Sequence, residues 1–187
     1  MTVIAACKLP NRIEIAADSY SASGSNLLTA HNCKTQKIQE SRGITFGSCG
    51  PSIRGRMLRV FLDEMEGEQR AQIEPTIASM MKLLADFHHW AEELHPNFPA
   101  NHNFILVFEG ELFRTYGGAD VIQVSEFVAI GGGETVANTL MHVGFSAYDA
   151  ALKACELRAD CKLPIQQLLI PVEMQSPKLA VTSCGQD

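Results

Sequence analysis

The chain has no apolar stretch of the roughly 18 or more residues that a membrane-spanning helix requires. Its first residues turn polar at Lys8 and Asn11 before an apolar secretory segment can form. Both absences predict a cytoplasmic protein without a membrane partner. With 15 lysines and arginines against 21 aspartates and glutamates, the net charge is -6. Lysine and arginine form no cluster of the kind phosphate contacts need, so no nucleic-acid partner is expected. The six cysteines, Cys7, Cys33, Cys49, Cys155, Cys161 and Cys184, include no CxxC pair and no metal-ligand rhythm with histidine. Free thiols and no metal are expected. His88 and His89 are adjacent on a helical segment, point to different sides and make poor co-ligands. No GxxxxGK[ST] occurs, and the run Gly131-Gly132-Gly133 misses GxGxxG at Val136. No nucleotide cofactor, and no cofactor of any kind, is therefore expected.

What is present reads as one domain, 1–187, without internal repeats or low-complexity segments. Val3 to Ala6 and Arg12 to Ala17 are apolar runs around a Lys8-Leu9-Pro10-Asn11 turn, which predicts two strands. The stretch Asn32 to Ile38 reads as a further strand, and Ile44-Thr45-Phe46 leads into a glycine turn. Helical spacing of apolar residues predicts helices from Ser52 to about Glu66 and from about Pro75 to Leu94. Phe104 to Phe108 and Leu112 to Tyr116 flank Glu109-Gly110-Glu111 as a hairpin. Strands at Val121 to Val124 and Phe127 to Ile130 precede helices from Glu134 to about Val143 and from Ser146 to about Asp160. Ile165 to Val172 and Leu179 to Thr182 close the chain as strands. This order predicts an α+β fold with sheet stacked on sheet and helices outside.

The chemistry concentrates at the start. Thr2 follows Met1 directly and is small enough for the methionine to be removed, which would give one residue both a hydroxyl and a free α-amine. Such an amine titrates near pH ~7.7–8.0, so its neutral form is available to take the hydroxyl proton. Asp18 ends the second predicted strand, and Lys34 lies in the third. A lysine beside the threonine would favour the alkoxide, and an aspartate beside the lysine would keep it charged while partly buried. Taken singly, each residue has a plainer reading: a common chain start, a turn former and a solvated cation.

On Thr2, Ile15-Ala16-Ala17-Asp18-Ser19, the spacing to Lys34, Ile44 to Gly50, and Phe127 to Gly133, the chain resembles the β-type subunits of the proteasome family. It resembles most the single-type peptidase subunits of bacterial self-compartmentalising proteases. The resemblance covers nearly the whole chain, with 67–103 matching in helical character alone. It implies the four-layer αββα sandwich of N-terminal-nucleophile hydrolases and a threonine endopeptidase acting on polypeptide substrates. Thr2 would be the nucleophile, Asp18 the lysine-orienting acid, Lys34 the activating cation and Gly47 the oxyanion donor. It further implies stacked homo-oligomeric rings and, by the same analogy, an ATP-dependent unfoldase as partner. Asn32, Gln36, Thr45 and Cys49 would line a moderately polar substrate pocket.

Two departures from the family pattern bear on the proton-handling shell. Gly132 stands where the family usually carries a serine, and Lys162 follows Asp160 where another serine is expected. Three alternatives stay open at this level. The chain could be a proteasome-like scaffold that assembles without cleaving, a small-molecule amidase of the same class, or an enzyme using Cys49 as nucleophile.

Overall fold

The computed structural model describes residues 2–19, 21–23, 26–28, 36–98 and 103–172. In chain order its strands and helices are β1 (Val3–Leu9), β2 (Arg12–Asp18), β3 (Ser21–Ser23), β4 (Asn26–Leu28), β5 (Ile38–Ser41), β6 (Ile44–Cys49), α1 (Ser52–Glu64), α2 (Gly67–Ala71), α3 (Ile77–Leu94), β7 (Asn103–Phe108), β8 (Glu111–Thr115), β9 (Val121–Val124), β10 (Phe127–Gly131), α4 (Glu134–His142), α5 (Ala147–Leu157) and β11 (Ile165–Pro171). The predicted strand at 179–182 and most of the one at 32–38 lie outside the described residues. The short β3–β4 hairpin and helix α2 have no counterpart in the sequence reading, since three to five residues carry too little periodicity to show.

Two antiparallel sheets form the centre. One has the order β10-β1-β2-β11, the other β5-β6-β7-β8-β9. Alternation along each strand then assigns every side chain to a layer. From β1, Ile4 and Ala6 face the second sheet and join Ile13, Ile15, Ile105, Val107, Leu112 and Ile130 in the core between the sheets. Val3, Ala5 and Cys7 point the other way, into a layer shared with Ala137 of α4 and with Ala150, Ala151 and Ala154 of α5. Across the molecule, Ile44 and Phe46 of β6 face Leu58 and Leu62 of α1 and Leu84 and Phe87 of α3. The result is four layers, helices–sheet–sheet–helices, the αββα sandwich expected from the sequence.

Local signals agree with these elements. The Thr76 hydroxyl accepts the Ser79 N–H at 3.2 Å to open α3, and the Ser146 hydroxyl accepts that of Asp149 at 3.0 Å to open α5. Buried Glu14 of β2 accepts from the Tyr148 N–H at 3.3 Å and the Gln167 amide at 2.7 Å, tying α5 and β11 to the strand between them. Fully burying each large aliphatic side chain of the central layer contributes about 1.5–3 kcal/mol.

The closest backbone approach lies where β10 turns into α4. Gly131 has φ 96°, and a Cβ there would land on the carbonyl of Thr2. Gly131→Ala is therefore expected to cost about 2–4 kcal/mol, from left-handed strain and overlap together. Urea denaturation checks this, and an unchanged midpoint would contradict it.

Candidate active site

The site is assembled at one end of the sheet sandwich, where β1 begins and β2 ends. Thr2 immediately precedes β1, whose residues Val3 and Ile4 pair with Gly131 of β10 and Ala17 of β2. The Thr2 carbonyl accepts the Gly133 N–H at 3.2 Å, so its main chain is held before any side chain acts. Asp18, with a fully buried side chain, takes the Val3 N–H on Oδ1 at 2.9 Å and the Lys162 N–H on Oδ2 at 3.1 Å.

Between the hydroxyl and the carboxylate lies an ammonium group. Lys37 Nζ donates to Thr2 Oγ1 at 2.7 Å and to Asp18 Oδ1 at 2.7 Å. The place beside Thr2 and Asp18 expected for Lys34 is taken by Lys37, while Lys34 itself lies outside the described residues. Lys37 is the residue just before β5, and its carbonyl accepts the Ser48 N–H at 3.3 Å, which fixes it beside the end of β6. Burial pushes the Lys37 ammonium below its usual pKa, and the Asp18 carboxylate opposes that by attraction and hydrogen bonding.

Gly47, expected as the oxyanion donor, is set within the sheet. Gly47 lies inside β6, paired in register with Ile38 of β5 and Ile105 of β7. Ile38 directs both its N–H and its carbonyl to the side chain of Gln166, at 3.2 and 2.8 Å, so the Ile38–Gly47 pair exchanges no hydrogen bonds. Backbone amides alternate along a strand. The Ser48 N–H faces Lys37, so the Gly47 N–H turns toward β7, away from the lysine. What requires glycine at 47 is packing: a Cβ would sit 2.8 Å from Ile4 Cγ2.

The remaining expected residues divide. Gln36 is exposed beside Lys37, and Asn32 lies outside the described residues. Thr45 is buried within β6, paired with Glu40 and Val107 and on the Gly47 face between the sheets, so it is core and not pocket. Cys49 ends β6; burial pushes its thiol up despite a hydrogen bond with Asn103, which disfavours the thiolate a cysteine nucleophile needs. Gly132 sits in the turn between β10 and α4, next to the residue that binds the Thr2 carbonyl, and brings no hydroxyl there. Asp160 is engaged by Arg158 at 3.3 Å; burial would raise its carboxyl, but the arginine bond wins and holds it below the usual range.

Sequence reasoning missed Lys37 and the backbone N–H groups of Val3 and Lys162, which meet at Asp18. A main-chain contact leaves no residue-type signal. Nearby, the Cys155 thiol donates to Cys161, which pushes the first up and the second down. Among the described residues no group of three or more His, Cys, Asp or Glu could hold a metal ion. No helix among them is long and apolar enough to cross a membrane.

Because Asp18 raises the Lys37 pKa against the effect of burial, Asp18→Asn is expected to move it further down. NMR titration of the carbon bearing the Lys37 ammonium checks this, and an upward shift would contradict the ion-pair account.

No protein-family model and no curated protein matches the sequence. Solved structures do. BPH of Thiobacillus denitrificans, a bacterial proteasome homologue solved in complex with epoxomicin, superposes with a TM-score of 0.78 at 16% identity, covering 91% of this chain and 98% of that one. Eukaryotic HslV from Trypanosoma brucei gives 0.66 at 16% identity, with 90% and 99% covered. Anbu, the ancestral beta-subunit, from Yersinia bercovieri gives 0.65 at 18% identity, with 92% and 82% covered. With its four layers and a strand-leading threonine, the chain has the fold of the proteasome-like N-terminal-nucleophile hydrolases.

Proposed function

We propose that this chain is a threonine endopeptidase subunit whose nucleophile is Thr2, exposed by removal of Met1. The observation that carries the reading is the Lys37 ammonium set 2.7 Å from both Thr2 Oγ1 and Asp18 Oδ1. In the proposed reaction Thr2 Oγ1 bonds to the scissile carbonyl carbon while its own α-amine takes the hydroxyl proton. Lys37 stabilises the developing alkoxide, and Asp18 holds Lys37. Collapse of the tetrahedral adduct expels the amine, which leaves with the proton from the α-amine, and forms an ester on Thr2. Water then adds to the ester carbonyl while the α-amine takes a water proton; the bond from the acyl carbon to Oγ1 breaks, that proton passes to Oγ1, and the acid product departs.

Self-association into rings belongs to the same proposal. Polypeptide substrates, a cytoplasmic setting and an ATP-dependent unfoldase complete it by the resemblance of the sequence to the proteasome family.

A second reading, a non-cleaving scaffold, is favoured by Gly132 and by Asp160, which is committed to Arg158. Intact mass before and after a peptide epoxyketone separates the two. The peptidase reading expects loss of Met1 and one covalent adduct that Thr2→Ala does not form. Retained Met1 without an adduct would establish the scaffold.

Thr2→Ala and Lys37→Met are each expected to lower peptide hydrolysis by about a thousandfold or more, since residues acting as one unit fail together. Lys34→Met should leave the rate near wild type. Steady-state assays of the three variants check this, and a loss confined to Lys34→Met would restore the first assignment.

A further inference from the structure

Lys37 reaches the site from an exposed position in the fold. It precedes β5, the edge strand of its sheet, and β6 lies on one side only. Edge strands leave N–H and carbonyl groups without a neighbouring ladder. At Ile38, the first residue of β5 and 2% accessible, those two groups would be buried on the strand's open side. Gln166 meets both. Its Oε1 accepts the Ile38 N–H at 3.2 Å, and its Nε2 donates to the Ile38 carbonyl at 2.8 Å.

The pairing is geometrically specific. Glutamine carries an acceptor and a donor on one planar amide, the same pair of groups that a neighbouring strand would offer. Gln166 lies on β11, opposite Ala17 of β2, one residue from the Ile165–Asp18 pair. Leu168 and Ile170, at the same strand parity, pack into the core between the sheets, so this face of β11 looks toward the second sheet. The amide thus joins the sheet that carries Thr2 and Asp18 to the strand that delivers Lys37. Gln167, its neighbour, points the other way and donates to Glu14.

We propose that Gln166 is a positioning residue for Lys37: its side-chain amide clamps both backbone groups of Ile38 and so fixes the ammonium between Thr2 and Asp18. This rests on the threonine reading for its catalytic consequence, but not for its structural one. Without the clamp, the main chain at the start of β5 is held on its β6 side alone, through the ladder and the Lys37 carbonyl with the Ser48 N–H at 3.3 Å. Misplacement by about 1 Å can cost on the order of a hundredfold in rate.

The test compares full-length wild type with Gln166→Met and with Gln167→Met as a control for general destabilisation. Gln166→Met is expected to raise the Lys37 pKa toward that of an ordinary lysine, because burial is the larger of the two influences on it and the clamp maintains that burial. It should also lower kcat by about a hundredfold with KM little changed. Gln167→Met should lose stability to urea without moving either quantity. If Lys37 titrates identically in a folded Gln166→Met variant, or if Gln167→Met shifts it equally, the clamp is overturned. Should Gln166→Met not fold, amide hydrogen exchange in the wild type decides: slow exchange at Ile38 supports the clamp, and exchange at the rate of open edge positions refutes it. Hydrolysis that persists in Thr2→Ala would overturn the threonine reading alone, since the lysine titration does not depend on it.

Discussion

The buried carboxylate of Asp18 is the constraint on which the site depends. A fully buried charge is costly unless it is paired and its oxygens are hydrogen-bonded. Here Oδ1 meets the Lys37 ammonium and the Val3 N–H, and Oδ2 meets the Lys162 N–H. Those three contacts come from β1, from the lead into β5 and from the turn before β11. One acid therefore requires both sheets and the chain between α5 and β11 to be in place together. The lysine in turn tolerates burial because the acid is there. Replacing either partner leaves the other as an uncompensated charge.

Around that pair the fold works mostly through its main chain. Thr2 is set by its carbonyl bond to Gly133 and by strand pairing on both sides of the residues that follow it. Lys162, whose identity breaks the expected family pattern, serves Asp18 with its backbone N–H, which most residue types could supply. A departure in side chain at that position thus leaves the contact intact. The missing hydroxyl at Gly132 is a different matter, because a backbone amide cannot stand in for a side chain that the chain does not have.

This division explains what the residues disclosed in advance. The layered architecture was legible because the unbroken apolar runs of β1 and β2, strands buried on both faces, and the helical spacing in α1 and α3 reflect burial directly. Thr2 and Asp18 were legible because their positions follow from a strand start and a strand end. The lysine was not, since Lys34 and Lys37 both precede β5 and residue type alone does not separate them. Gly47 was misread because a glycine in a strand signals both a close approach and an available amide. The observed register assigns it the first role, and a register is not visible in one strand alone. Thr45 misled for a related reason: a polar residue within a strand can point into the interior.

The two helical layers are built from different materials. On one side α4 and α5 rest on their sheet through Ala5, Ala16, Ala129, Ala137, Ala150, Ala151 and Ala154. On the other, α1 and α3 stand on Phe46, Phe87, Phe104, Phe108 and Phe113. An alanine-lined contact has no volume to exchange, because any larger side chain must push a helix off the sheet. A phenylalanine-lined one can trade bulk among neighbours at constant total volume. Neutral drift is thereby channelled unevenly through the molecule: the alanine contacts behind Thr2 admit little beyond the smallest residues, while the phenylalanine layer can exchange bulk among its members.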